Sequence, residues 1–261
     1  MSELTAGVTV SADPGAGFGL DGKIAIVTGA ASGIGRATAE LLAKSGCLVT
    51  AVDVNHKGLA TLDLGDDGAT DVADLSVPAA CEQVVAGVLS HRKRLDILVN
   101  AAAILRRVPI AEADAALWEK MMDTNLLSQF FLCRAAGEAM KPRKWGRIVN
   151  CSSGAGLVGG FFGATAYAIT KAGIMTMTRS FAKDLGPHGI TVNTLSPGAI
   201  DTPMQRTGVP REALEANRAR VPIGRMGLPA ECARGAVFLA SDLASYVTGH
   251  ILAVDGGSLM R

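Results

Sequence analysis

The sequence predicts an α/β fold: a single domain on a doubly wound, parallel, seven-stranded sheet with helices on both faces. Short β-rich apolar runs alternate with helical patterns along the chain, which places parallel strands between two helical layers. Apolar residues make up 49% of the 261 residues and aromatics only 4%, with 31 glycines, so the core is Ala, Val, Ile and Leu joined by many tight turns. No shift of composition divides the chain.

The first strand is Ile24 to Thr28, apolar and flanked by Gly22 and Gly29. A glycine turn follows, then a helix from about Gly33 to Ser45 with Ile34, Ala37, Leu41 and Leu42 as its apolar stripe and Gly46 as its stop. Leu48 to Asp53 is the second strand. After a short link, Gly68 to Val72 is the third. Pro78 to Ser90 is helical along Val84, Val85, Val88 and Leu89, and Arg92-Lys-Arg94 reads as a solvated run. Asp96 to Val99 is the fourth strand. Ala115 to Met140 is one long helix with apolar residues on two sides, so it needs cover from the sheet and from a second subunit. Arg147 to Cys151 is the fifth strand. Tyr167 to about Leu185 is helical, and Ile190 to Leu195 is the sixth strand. Thr202 to Ala230 is polar and broken by prolines, the place for a substrate lid. A helix over Cys232 to Ser241 and a seventh strand, Ile251 to Val254, complete the domain, which runs over residues 20–261.

Residues 1–19, rich in Gly, Ala, Ser and Pro from Ser11 onward, read as a flexible arm without signal-peptide pattern. A net charge of +1 gives no footprint for nucleic acid or anionic membrane, and no apolar run reaches the ~18 residues of a membrane span. Five scattered cysteines read as small buried hydrophobes in a reducing, cytoplasmic setting. The four histidines lie apart, and no metal site is readable.

The chemistry sits at strand ends. Strand, glycine turn and helix N-terminus form a phosphate site, because glycines admit the pyrophosphate and the helix end favours an anion. Asp53 closes the second strand about 20 residues on, where a carboxylate accepts the hydroxyls of an adenosine ribose and repels a 2′-phosphate. Ser32 stands where a basic residue could bind that phosphate. Both favour NAD. Tyr167 and Lys171 share one helix face. Tyrosine is a weak base at its ordinary pKa of ~10, and a neighbouring ammonium lowers that value, making the pair an acid/base for an alcohol. Ser153 can hydrogen-bond the carbonyl or alkoxide oxygen. Arg106 and Arg107, beyond the fourth strand, are either solvated charge or a receptor for a substrate carboxylate.

These residues resemble the short-chain dehydrogenase/reductase family, with its Rossmann sheet, from about Leu20 to the C-terminus. The marks are Thr28-Gly-Ala-Ala-Ser-Gly33-Ile-Gly35, Asp71-Val72, Asn100-Ala-Ala, Asn125, Ser153, Tyr167-x-x-x-Lys171, Pro197-Gly198-x-Ile200-x-Thr202 and Asp255-Gly-Gly257. The resemblance implies Tyr167 as acid/base and Lys171 on the nicotinamide ribose, lowering the tyrosine pKa. It implies Ser153 as polariser of the substrate oxygen and Asn125 as holder of a water between Lys171 and solvent. Gly29, Ser32, Gly33, Ile34 and Gly35 would cradle the pyrophosphate. Asp71 and Val72 would contact adenine, and Asn100 would lie near its ribose. Pro197, Gly198, Ile200 and Thr202 would hold the nicotinamide end. It also implies a homotetramer through the two long helices.

Two departures stand out: Ala103 replaces a usual glycine, and the Ser153-to-Tyr167 interval is one residue longer than is common, which leaves Ser152 as the alternative to Ser153. Phe161 and Phe162 either line the pocket or pack. The expected function is NAD-dependent interconversion of a secondary alcohol and a ketone, with Ile104-Leu-Arg-Arg107 and Val221 to Pro229 most similar to sugar-acid and polyol dehydrogenases of the gluconate and deoxygluconate type. The alternatives are a 3-oxoacyl-thioester reductase, usually NADPH-linked, and a non-catalytic NAD-binding sensor.

Overall fold

The computed structural model describes residues 17–160, 163–207, 209 and 211–260. Its centre is one parallel sheet of seven strands in the order β3-β2-β1-β4-β5-β6-β7. The strands are β1 (Ile24–Thr28), β2 (Leu48–Asp53), β3 (Ala69–Val72), β4 (Ile97–Asn100), β5 (Gly146–Cys151), β6 (Ile190–Pro197) and β7 (Ile251–Val254). Every pairing is parallel, and the register sets Thr28 beside Asn100 and Asn100 beside Asn150. The three strands therefore end within one residue of one another. Strand order reverses between β1 and β4, and in such sheets a crevice opens beyond the carboxyl ends at that point.

Side chains alternate across the sheet. Ala25 and Val27 face a layer made by α1 (Gly33–Lys44) and α10 (Pro229–Ala240), where Ala39, Leu42, Cys232 and Ala236 are buried. Ile24, Ile26 and Leu98 face α3 (Pro78–Arg92) and α5 (Ser128–Met140), where Val84, Val85, Leu132 and Ala136 are buried. Each fully buried Val, Leu or Ile contributes on the order of 1.5–3 kcal/mol. All five cysteines are buried and unpaired.

The long helix is continuous but not uniform. It runs as α4 (Ala115–Met122), a π-helical stretch over Asp123–Leu127, and α5. Asn125, buried, sits at the centre of the π stretch. Such bulges are frequent at functional sites.

Two short helices lie where the sequence suggests loop. α2 (His56–Leu59) starts under the Asn55 side chain, which accepts from the Gly58 N–H. α6 (Ala155–Val158) packs on α7 (Thr165–Leu185), and Gly156 makes this possible: a Cβ there would come within 2.7 Å of the Lys171 backbone. The expected lid segment contains α8 (Pro203–Arg206) and α9 (Arg211–Ala219). Ile200, just before it, bridges to Gly227 near its far end and so holds the two together. Arg94, which the sequence places in a solvated run, instead pairs with buried Asp96 at 2.9 Å. Residues 1–16 of the expected arm, and Phe161 and Phe162, lie outside the described residues. Residues 17–19 are docked rather than loose: the Phe18 carbonyl accepts from the Asp242 N–H, and Leu20 is in the core. Among the described residues no helix is long and apolar enough to cross a membrane.

Candidate active site

A cavity of about 600 Å³ opens beyond the carboxyl ends of β1, β4, β5 and β6. At one end lies the turn from β1 to α1, where Gly29, Ser32, Gly33, Ile34 and Gly35 all line the wall. Two glycines are obligatory there. Gly29 has φ +67° and a Cβ would meet the Ala102 backbone at 2.7 Å; a Cβ on Gly35 would meet the Gly29 carbonyl at 2.2 Å. Ser32 is the N-cap of α1 but makes no side-chain capping bond. The first turn is thus left for an anion.

Asp53, at the end of β2, lines the same wall. Its carboxylate is oriented by two backbone donors, the Ala31 N–H at 3.0 Å and the Asn55 N–H at 2.9 Å. Across the cavity Gly198, Ile200 and Thr202 follow β6, with Pro197 at its end. Thr202 comes close to the glycine turn, 3.4 Å from where a Gly33 Cβ would stand.

Tyr167, Lys171 and Ser153 line the other end. The two serines point in different directions. Ser152 Oγ is buried and donates to the Lys171 carbonyl at 2.7 Å, whereas Ser153 Oγ accepts from the Ala155 N–H at 3.2 Å and stands beside the Tyr167 phenol. Lys171 is buried, and its Nζ donates to the Cys151 carbonyl at 2.8 Å, lying 5.5 Å from the centre of the Tyr167 ring.

Burial dominates both groups of the pair. Burial pushes the Tyr167 phenol up to about 12, opposed by the Ser153 hydrogen bond and the Arg107 charge. Burial pushes the Lys171 ammonium down to about 8.

The structure does not bring every candidate to the cavity wall. Asp71 and Val72 are exposed at the end of β3, one strand beyond Asp53. Asn100 is buried behind the wall, donating to Asn150 Oδ1 at 2.9 Å. Asn125 stands behind it too, bonded to Ile104 and to Thr170 Oγ1. Of the two loop arginines, Arg107 lines the cavity and Arg106 is exposed. The wall also includes residues that sequence reasoning missed: Leu105, Val158, Met204, Val221 and Leu259. Leu259 had a readable signal in the Asp255-Gly-Gly257 turn, since Asp255 accepts from the N–H groups of Gly257 and Leu259 and folds the C-terminal segment back.

A Rossmann sheet with a glycine turn, an acid at the end of β2 and a Ser-Tyr-Lys set on one cavity defines a nucleotide-dependent oxidoreductase of the short-chain type. Known proteins of this class match the chain over nearly its whole length. The family described as enoyl-(acyl carrier protein) reductase matches residues 29–258. The 3-oxoacyl-[acyl-carrier-protein] reductase FabG of Vibrio cholerae is 39% identical, over 92% of this chain and 99% of its own. The D-threitol dehydrogenase of Mycolicibacterium smegmatis is also 39% identical, over 94% and 95%. The crystal structure of gox2181 superposes with a TM-score of 0.88 at 36% identity, over 92% of this chain and 97% of that one. The chain belongs to the short-chain dehydrogenase/reductase family and is an oxidoreductase.

Proposed function

We propose that the protein is an NAD(H)-dependent dehydrogenase that interconverts a secondary alcohol and a ketone on a polyol, sugar acid or related hydroxy compound. The observation that carries this reading is the single cavity holding both the Ser153–Tyr167 pair and the glycine turn with its fixed Asp53.

The residues fit a dinucleotide. The glycine turn lines the cavity with bare backbone, since the close packing of Gly29 and Gly35 admits no Cβ, and the Asp53 carboxylate suits a diol acceptor that repels a 2′-phosphate. The nicotinamide ring, when bound, supplies the hydride acceptor or donor. Tyr167 moves the proton: its phenolate takes the hydroxyl proton in oxidation, and its phenol returns one in reduction. Ser153 holds the substrate oxygen beside it. Lys171 binds the nicotinamide ribose, Asn125 connects the lysine to solvent, and Thr202 to Ala230 closes over the substrate. Asp71, Val72 and Asn100 serve the adenosine end. The enzyme is cytoplasmic and a homotetramer through the long helix and α7, in keeping with Leu127 of the π stretch, Phe130 of α5 and Ile169 of α7 standing exposed.

NADH formation from NAD over polyols, sugar acids and simple secondary alcohols, with NADP in parallel, tests the reading. NAD-linked turnover of a polyol or sugar acid is the expected result; silence with every alcohol in both nucleotides overturns it. The second reading, a 3-oxoacyl-thioester reductase, is favoured by the likeness to the Vibrio cholerae enzyme. It is supported if acyl thioesters, and no polyol or sugar acid, are turned over. Binding of nucleotide with no turnover of any substrate would favour an NAD-binding sensor.

A further inference from the structure

Among the described residues the segment after β4 has no strand partner, and its side chains alternate. Ala103, Leu105 and Arg107 line the cavity, while Arg106 between them is exposed. This alternation is fixed at both ends. The Ile104 N–H and carbonyl are both bonded to the Asn125 amide, at 2.8 and 2.9 Å. The Val108 N–H donates to the Gly163 carbonyl at 3.0 Å. Gly163 lies at φ +74°, and a Cβ there would meet the Val108 backbone at 2.8 Å. Arg107 is therefore held between two anchors, at the same cavity end as Ser153 and Tyr167.

Its guanidinium is incomplete. Nε is buried and has no hydrogen-bond partner, and among the described residues Arg107 makes no ion pair. Burial lowers its pKa, and the neighbouring Tyr167 works the other way; a guanidinium stays charged regardless. A partly buried cation left without a counter-ion is costly unless a ligand supplies one. A carboxylate matches the planar fork with two parallel hydrogen bonds, and its single charge balances one arginine, where a phosphate dianion would leave an excess.

Resting on the dehydrogenase reading above, we infer that Arg107 is the specificity residue of the substrate subsite and binds a carboxylate carried by the substrate, so that the substrate class is hydroxy acids and their keto acids rather than neutral polyols.

The test compares four-, five- and six-carbon aldonates with the alditols of the same length. Wild type, Arg107→Gln, Arg107→Lys and the control Arg106→Gln are each saturated with NADH or NAD. In wild type at least one aldonate is preferred over its alditol. Arg107→Gln lowers kcat/KM for that aldonate by about 100-fold, mostly through KM, as expected for loss of a buried charge partner. Alditol turnover falls much less than aldonate turnover, so the aldonate-to-alditol ratio of kcat/KM drops at least tenfold; Arg107→Lys falls between, and Arg106→Gln keeps the wild-type ratio. Equal losses for acid and alditol, or no aldonate bound by wild type, overturn the inference. Thermal protection by aldonate is measured beside turnover. Protection of wild type but not of Arg107→Gln supports the carboxylate subsite even where no alcohol is oxidised, so its failure and that of the dehydrogenase reading are separable.

Discussion

The Asn125 side chain closes a ring with the Ile104 backbone: Oδ1 accepts from the N–H at 2.8 Å and Nδ2 donates to the carbonyl at 2.9 Å. An asparagine in a helix interior is otherwise a poor choice. Here the π-helical turn presents its amide to a segment that has no strand partner, and the amide stands in for that strand. Asn125→Ala leaves both backbone groups without a partner. It should destabilise the protein by about 2–3 kcal/mol and lower kcat, because Arg107 and Ala103 ride on the same segment. Urea unfolding and steady-state kinetics check this. Asn125→Asp should fail similarly, since a carboxylate cannot donate to the Ile104 carbonyl.

Asp53→Ala removes the ribose acceptor together with the bond to the Ala31 N–H. The expected outcome is a weaker KM for NAD and a narrower NAD-to-NADP ratio of kcat/KM. A charge-assisted hydrogen bond is worth about 1.5–3 kcal/mol, so the ratio should fall by roughly 10- to 100-fold. An unchanged ratio would show that the carboxylate does not read the ribose.

Much of this was legible from the chain because its signals are local. The strands β1, β2 and β7 begin and end as read, since apolar β-rich runs stop at glycine or aspartate. Tyr167 and Lys171 share a face by helical spacing alone. What spacing does not specify is where a flexible side chain reaches. The Cys151 carbonyl takes the Lys171 ammonium, and no pattern in the helix reveals a bond to a strand 20 residues away. Choosing Ser153 over Ser152 needed the bond from Ser152 to the Lys171 carbonyl. Arg107 and Arg106 are adjacent and identical in type; only the anchoring of Ile104 and Val108 tells them apart. Val221 and Leu259 reach the cavity from distant segments, beyond any local period.

The glycine turn makes a sharp pair of opposite outcomes. At Gly35 a methyl group would press on the Gly29 carbonyl, which cannot move without disturbing Ala102. Gly35→Ala should destabilise by about 3 kcal/mol and abolish nucleotide binding. Gly87, inside α3, faces open space: no heavy atom lies within 4 Å of where a Cβ would stand. Gly87→Ala should therefore stabilise by about 0.5–1 kcal/mol with NAD binding intact. Thermal unfolding and NADH fluorescence read both.

Tyr167→Phe should abolish turnover while NADH still binds; retained turnover would remove Tyr167 from its role. The phenol itself can be titrated in the protein without nucleotide. Its folded pKa of about 12 lies above the ordinary ~10, so the ultraviolet difference between wild type and Tyr167→Phe should show ionisation near 12, and Arg107→Gln should move it higher. The same burial ties stability to pH in opposite senses. The tyrosine's contribution is fully present below pH ~10 and is lost as pH rises through about 12. The Lys171 value is depressed to about 8, so its contribution is present above pH ~10.4 and is lost as pH falls through about 8. Lys171→Met should thus gain on wild type as pH falls from ~10.4 to 8, by on the order of 3 kcal/mol at ~1.36 kcal/mol per pH unit. A difference in unfolding free energy that stays flat across that window would mean that the ammonium keeps its proton as readily folded as unfolded.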